Sequence, residues 1–333
     1  TRARSERRKF VAVLRWGLIG CGDIARKRVA PSFRDLDSCQ LIAVNRLRHD
    51  LAEAFAREFG AKRWYKDWRE LLRDGEIDAV YIATPPNLHA EQTIAAAKAG
   101  KHVLCEKPMA LDPQACRRMI CACRGSGVRL SIAYYRHFYP VVARVKEIIT
   151  TGEIGKVVLA EMRAFESFCP DPEDPRYWMV RKEHGGGGPL MDFGCHRIEV
   201  LLNILGPLSR AFGSNGRLIM DWNVEDTSIS LFEFQNESRG MLAVSRAVEE
   251  PQDSLDIYGS AGSIHIPVLN RGLLTVFTAE GERKEDHPPH RNIHLPHIEA
   301  VTQAFLQNEE PPVPGETGLQ VAEVIEEIYR SPV

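Results

Sequence analysis

The chain predicts an α/β protein of two parts, a doubly wound parallel sheet followed by an α/β domain on a large, mostly antiparallel sheet. Three observations carry that prediction. From Leu14 to about Ser131 short apolar runs alternate with helical stretches, the pattern of βαβ units. Gly20, Gly22 and Ala25 stand at G-x-G-x-x-A spacing directly after the first apolar run. Beyond Thr151-Gly152 the runs lengthen and alternate with period two, as strands with one covered face do.

The first part predicts strands over Arg15 to Gly20, Gln40 to Asn45, Ala79 to Thr84, His102 to Cys105 and Arg129 to Ala133. Between them fall helices over Asp23 to Arg34, His49 to Phe59, Trp68 to Leu72, Leu88 to Ala99 and Pro113 to Cys123, the length that right-handed crossovers need. A linking helix runs from Pro140 to Ile149. Strands follow over Lys156 to Phe165, Thr227 to Phe234, Gly240 to Val248 and Ser254 to Tyr258. One helix, Pro189 to Leu205, opens on proline and closes at Gly206. Two more, His297 to Phe305 and Gly318 to Tyr329, flank a proline-rich loop. The domains expected are 14–135 and 136–333, with 1–13 a basic, disordered arm.

Composition bounds the function. At 333 residues the chain is long enough for two domains of roughly 150 residues each. A formal net charge of −2 asks for neither nucleic acid nor an anionic membrane, and no apolar run approaches the roughly 18 residues of a membrane span. Eight cysteines lack paired CxxC spacing, which favours a reduced, cytoplasmic setting.

Gly20 permits a tight turn, Gly22 lets the backbone approach a pyrophosphate, and Ala25 allows helix and strand to pack closely. Asp23 and Ile24 open the helix whose amino end faces that anion. An NAD-specific site places an acid about 20 positions on, at the end of the second strand. Here Asn45 and Arg46 stand instead, and Arg46 suits a 2′-phosphate, so NADP(H) is preferred and NAD(H) remains possible. The alternative is that Arg46 and Arg48 are solvated loop charges. Thr84-Pro85-Pro86-Asn87-Leu88-His89 forms a stiff strand-to-helix loop in which Asn87 caps the next helix; Thr84, Pro85, Asn87 and His89 are expected to border the nicotinamide.

Glu106-Lys107-Pro108 follows an apolar strand, where ligands of open α/β sheets sit. A lysine beside a partly buried pocket can have its pKa lowered and donate a proton to a carbonyl. Four glycines, Gly185 to Gly188, then lead into a helix carrying Asp192 and His196 at i, i+4. Such a pair serves as a general acid/base with a carboxylate-stabilised imidazolium, or simply decorates a helix surface. A zinc or iron pair with His184 as third ligand is the metal alternative; no metal is expected.

In this order and at these distances, the four motifs closely resemble the Gfo/Idh/MocA family, the glucose–fructose oxidoreductase and inositol dehydrogenase group. The resemblance extends to Val224-Glu225-Asp226-Thr227 and Ile257-Tyr258-Gly259. It implies an N-terminal Rossmann domain and a substrate domain on a mostly antiparallel sheet. It also implies hydride transfer between NAD(P) and a hydroxyl or carbonyl carbon of a sugar, cyclitol or related polyol. Lys107 matches the family's catalytic lysine, and Asp192 and His196 its Asp/His pair. His196 would take the hydroxyl proton, Lys107 would bond the same oxygen, and Asp192 would orient the imidazole. Tyr135, Arg136, Trp178 and Arg181 fall in segments that can rim a polyol pocket. Relatives tend to associate through the second sheet, so a homodimer or homotetramer is expected. Two competing classes are an NAD-dependent glycosidase with a transient redox cycle and a non-catalytic dinucleotide sensor.

Overall fold

A computed structural model describes residues 12–331. Most of the expected basic arm, 1–11, lies outside the described residues. The first sheet has six parallel strands, β1 (Leu14–Ile19), β2 (Cys39–Asn45), β3 (Arg63–Tyr65), β4 (Ala79–Ile82), β5 (His102–Cys105) and β6 (Leu130–Ile132), in the order β3-β2-β1-β4-β5-β6. Every residue of β4 is buried because helices cover both faces of the sheet. The winding reverses between β1 and β4, which opens a crevice at their carboxyl ends.

The crossover helices start where the sequence supplies caps. Asp112 accepts from the Ala115 amide at 2.7 Å ahead of helix Pro113–Gly125. Helix Pro86–Lys98 begins two residues earlier than expected, with extended Pro85 before it. Asn87 therefore lies exposed in the first turn and does not cap the helix. The stretch expected as one helix does begin at Asp23 but widens into a π turn, Ala25–Val29, before helix Ala30–Asp35. Pro31, which has no N–H to give, interrupts the ordinary ladder there.

The second sheet has eight strands: β7 (Val157–Phe165), β8 (Leu208–Gly216), β9 (Thr227–Phe234), β10 (Arg239–Ser245), β11 (Gln252–Gly259), β12 (Gly262–Ile266), β13 (Leu273–Thr278) and β14 (Gly281–Asp286). Their order is β14-β13-β12-β11-β7-β10-β9-β8, antiparallel except for the β7–β10 pair. Pattern reading did not find β3, β8, β12, β13 or β14. The last is Gly-Glu-Arg-Lys-Glu-Asp, charged at every position after the glycine, and it is a strand because β13 pairs with it along its length. Its charges also block a further strand from adding to that edge. β10 stops at Ser245, short of the expected Val248, where Arg246 turns inward and its amide donates to the Asp226 carbonyl.

Of the carboxyl-terminal helices, Leu295–Gln307 returns to pack against β1, and Gly315–Arg330 bridges the two parts, touching helix Pro113–Gly125 and β6 on one side and β8 on the other. The Ile132 amide donates to the Val313 carbonyl, and Phe305 packs beside Trp16. Trp16 is fully buried and stacks on Phe33 at 5.0 Å between ring centres. It thus ties β1, the first crossover helix and the returning helix into one apolar cluster. Trp16→Ala should lower the free energy of unfolding by about 3–5 kcal/mol in a denaturant titration. A loss under about 1 kcal/mol would show that the returning helix does not depend on that contact.

Candidate active site

The glycine turn is built by close approach. Gly20 has φ +94°, and a Cβ there would lie 2.6 Å from the Ala83 carbonyl oxygen, so only glycine fits. A Cβ on Gly22 would meet nothing within 4 Å, which leaves open space ahead of the helix amino end. Ala25 is buried, while Ile24 is partly exposed and Asp23 pairs with Lys27 at 2.9 Å. This cradle fits a dinucleotide pyrophosphate held by free backbone N–H groups.

Arg46 reaches back over the turn and donates to the Cys21 carbonyl at 2.8 Å. Asn45, by contrast, is buried and spends its amide on the Tyr65 and Lys66 carbonyls, at 3.1 and 2.9 Å. Its side-chain amide thus fastens edge strand β3. Thr84 donates to Gln92 at 2.6 Å. His89 is fully buried between the Pro108 and Thr84 carbonyls, 3.0 and 2.8 Å from its two ring nitrogens. Burial lowers the His89 pKa, so the ring is neutral and its single N–H donates to one of these two carbonyls, tying the loops that flank it. One of those loops carries Lys107.

Lys107 extends from the end of β5 into a cavity of about 650 Å³ between the two sheets. Its Nζ donates to Asp192 twice, to Oδ1 at 2.9 Å and to the main-chain carbonyl at 3.1 Å. The other Asp192 oxygen is bonded by Arg246, which is wholly buried. The helix expected from Pro189 opens with a π stretch, Leu190–Gly194, before Cys195–Leu205. Within it the Asp192 and Phe193 carbonyls accept side-chain bonds from Lys107 and Arg197.

Burial alone would lower the Lys107 pKa, but the Asp192 carboxylate outweighs it and raises it. The expectation of a lowered lysine pKa is therefore reversed. Burial would raise the Asp192 carboxyl, yet Lys107 and Arg246 hold it below its ordinary value. The expected Asp–His bond is absent. Both Asp192 oxygens serve cations, and His196 Nδ1 has no partner among the described residues. Buried beneath Tyr134 and Tyr135, His196 has its pKa pushed well below 6.5 by desolvation and by nearby Arg136, Lys107 and Arg197. It is neutral at neutral pH.

The Gly-rich loop is held by Glu225, whose carboxylate accepts from the Gly188 amide at 2.9 Å, the Leu190 amide at 3.2 Å and the Tyr329 hydroxyl at 2.9 Å. A side chain at Gly188 would strike the Glu225 carbonyl, which explains the glycine. Glu106 stays buried beneath the site, accepting from Tyr81 at 2.7 Å and from the Lys107 amide at 3.2 Å. It supports the lysine from behind.

Tyr135 and Arg136, just after β6, line the cavity as expected; Trp178 and Arg181 do not. In the 3₁₀ turn Tyr177–Val180 it is Met179 that lines the cavity, while Arg181 points outward and pairs with Glu183. Arg246, Arg197 and Asp253 complete the wall and escaped the sequence reading. Arg246 had one legible signal, being the single charged residue within the strand expected over Gly240 to Val248. Among the described residues no three His, Cys, Asp or Glu side chains gather as metal ligands, and His184 is exposed.

Comparison with known proteins agrees with this architecture. Residues 14–134 match the oxidoreductase family with an NAD-binding Rossmann fold, and residues 142–265 match the GFO/IDH/MocA C-terminal domain. The trans-1,2-dihydrobenzene-1,2-diol dehydrogenase of Mus musculus is 30% identical over 279 residues, 83% of this chain and 80% of that one. The 1,5-anhydro-D-fructose reductase of Ensifer adhaerens is 29% identical over 311 residues, 92% of each. A solved structure of levoglucosan dehydrogenase, in complex with NADH and levoglucosan, superposes with a TM-score of 0.86 at 26% identity over 96% of both chains. With both halves matched and the crevice, lysine and Asp/His helix in place, the chain belongs to the GFO/IDH/MocA family of NAD-binding oxidoreductases.

Proposed function

We propose that the protein moves a hydride between a nicotinamide cofactor, NADP(H) in preference to NAD(H), and a hydroxyl or carbonyl carbon of a sugar, cyclitol or related polyol. The observation that carries this reading is the convergence of Lys107 and His196 on one cavity past the carboxyl end of β5, one cationic and the other neutral. The nicotinamide, when bound, accepts or supplies the hydride. In oxidation His196 takes the hydroxyl proton. Lys107 donates a hydrogen bond to the same oxygen and stabilises the charge that builds on it. Asp192, fixed by Arg246, aims and charges the lysine. This role differs from orienting the imidazole and follows from where its oxygens point. In reduction the same proton returns.

Lys107→Ala and His196→Ala should each lower kcat at least about a hundredfold while NAD(P)H binding persists; full activity in either would sink the assignment. The active protonation state needs His196 neutral and Lys107 charged. With the first pKa well below 6.5 and the second above 10.5, kcat/KM for oxidation should be flat between those values. Asp192→Asn removes the partner that holds the lysine charged. An alkaline limb should then enter that window, and an unchanged profile would rule out the lysine–aspartate coupling.

Arg46 supports the NADP(H) preference, because its guanidinium reaches the glycine turn and no acidic residue stands at the end of β2 to bond a ribose hydroxyl. NADPH should raise the melting temperature more than NADH, and Arg46→Ala should erase the difference. Equal stabilisation of the unaltered protein by both cofactors would discard the preference.

The second sheet supports self-association: Ile229, Leu231, Tyr258 and Phe277 stand exposed on its outer face. Such a surface is ordinarily covered, and a second copy of the chain would cover it as a homodimer or homotetramer. Light scattering should give a mass of two or four chains; a monomer at micromolar concentration would overturn this.

A further inference from the structure

The cavity is short of negative charge. Six basic side chains line it against three carboxylates, and each carboxylate is already engaged. Asp192 lies between Lys107 and Arg246; Glu166 accepts from Arg246 at 3.3 Å; Asp253 accepts from Arg197 at 2.6 Å. Arg136 is the buried cation left over. It is 6% exposed, its Nη1 donates only to the uncharged Tyr135 hydroxyl at 2.8 Å, and its Nε has no partner among the described residues. At the cavity mouth Arg271 adds an exposed charge of the same sign, without an ion pair among the described residues.

Asp253 attracts Arg136 from a distance, but among the described residues no carboxylate bonds it; a buried guanidinium so placed is costly, and its planar fork of N–H groups matches a carboxylate or phosphate. Its charge also repels a proton on His196, so the positive field is felt at the reacting centre. An oxidised nicotinamide brings one more positive charge, which sharpens the need for an anion in the ternary complex.

We propose that the substrate is an anionic sugar derivative, whose acidic group pairs with Arg136 while its reacting hydroxyl or carbonyl meets Lys107 and His196. This rests on the polyol-oxidoreductase reading of the cavity. The acidic group takes no part in the bond changes. In oxidation the carbon loses a hydride to NAD(P)+ and the hydroxyl loses a proton to His196, leaving a carbonyl.

The test measures kcat/KM of the protein with saturating NAD(P)+ for glucuronate, gluconate and glucose 6-phosphate against glucose and myo-inositol. Calorimetry with the NAD(P)H-loaded protein gives the binding of the same compounds. At least one anionic sugar should exceed its neutral counterpart by about tenfold or more, the usual worth of a charge-assisted bond. The better of the carboxylates and the phosphate then identifies the acidic group. Arg136→Met should bring the acid-to-neutral ratio close to one, and Arg136→Lys should retain part of it. Neutral sugars matching or exceeding every acid, or a ratio unmoved in Arg136→Met, would overturn the inference. Turnover confined to neutral polyols would do so while leaving the oxidoreductase reading intact. Arg136-dependent binding of the acids with no sugar or polyol turned over would overturn the oxidoreductase reading and the substrate assignment with it, leaving only an anion site at Arg136.

Discussion

The Asp192 carboxylate joins the two halves of the molecule. One oxygen takes the ammonium of Lys107, from the end of β5, and the other takes the guanidinium of Arg246, from the end of β10. Taking these charges out of water is expensive, and their mutual pairing is what makes it tolerable. Removing one member of such a group leaves an uncompensated charge and costs about 3–5 kcal/mol. The position of the lysine relative to the substrate space therefore depends on a strand of the other sheet. Glu225 adds a second tie by fixing the amino end of the segment that carries Asp192.

That arrangement sets the protonation states on either side of it. Lys107 gains a carboxylate and stays charged, while His196 gains none and stays neutral among cations. The same burial acts in opposite directions only because one group has a counter-ion and the other does not. A hydroxyl placed between them would meet a proton acceptor and a positive charge together, which is what loss of a proton from an alcohol oxygen requires. His89 and Glu106 contribute indirectly, by holding the loop from which the lysine extends.

Much of the first sheet was legible because its signals are local. Fully buried parallel strands read as apolar runs, a glycine turn must follow β1, and a lysine after β5 stands where the sheet opens. The second sheet was less legible at its edges. β14 has no apolar residue and is a strand only because β13 and its own ion pairs hold it there. Trp178 and Arg181 were plausible by composition and position, but the turn that contains them lines the cavity with Met179 instead.

By itself the sequence determined the two-part α/β architecture, the dinucleotide cradle at Gly20 to Ala25 and the identity of Lys107, Asp192 and His196 as companions. The first two follow from spacing, periodicity and the backbone freedom of glycine, all properties of neighbouring residues, and the third from the family resemblance that the four motifs carry together. Only the tertiary structure decided that Asp192 serves Lys107 and not His196, that Arg246 completes the pair, and that Arg136 is buried with no carboxylate bonded to it among the described residues. Charge pairing and desolvation are set by groups that meet across many residues of chain, and no local pattern records which of them meet.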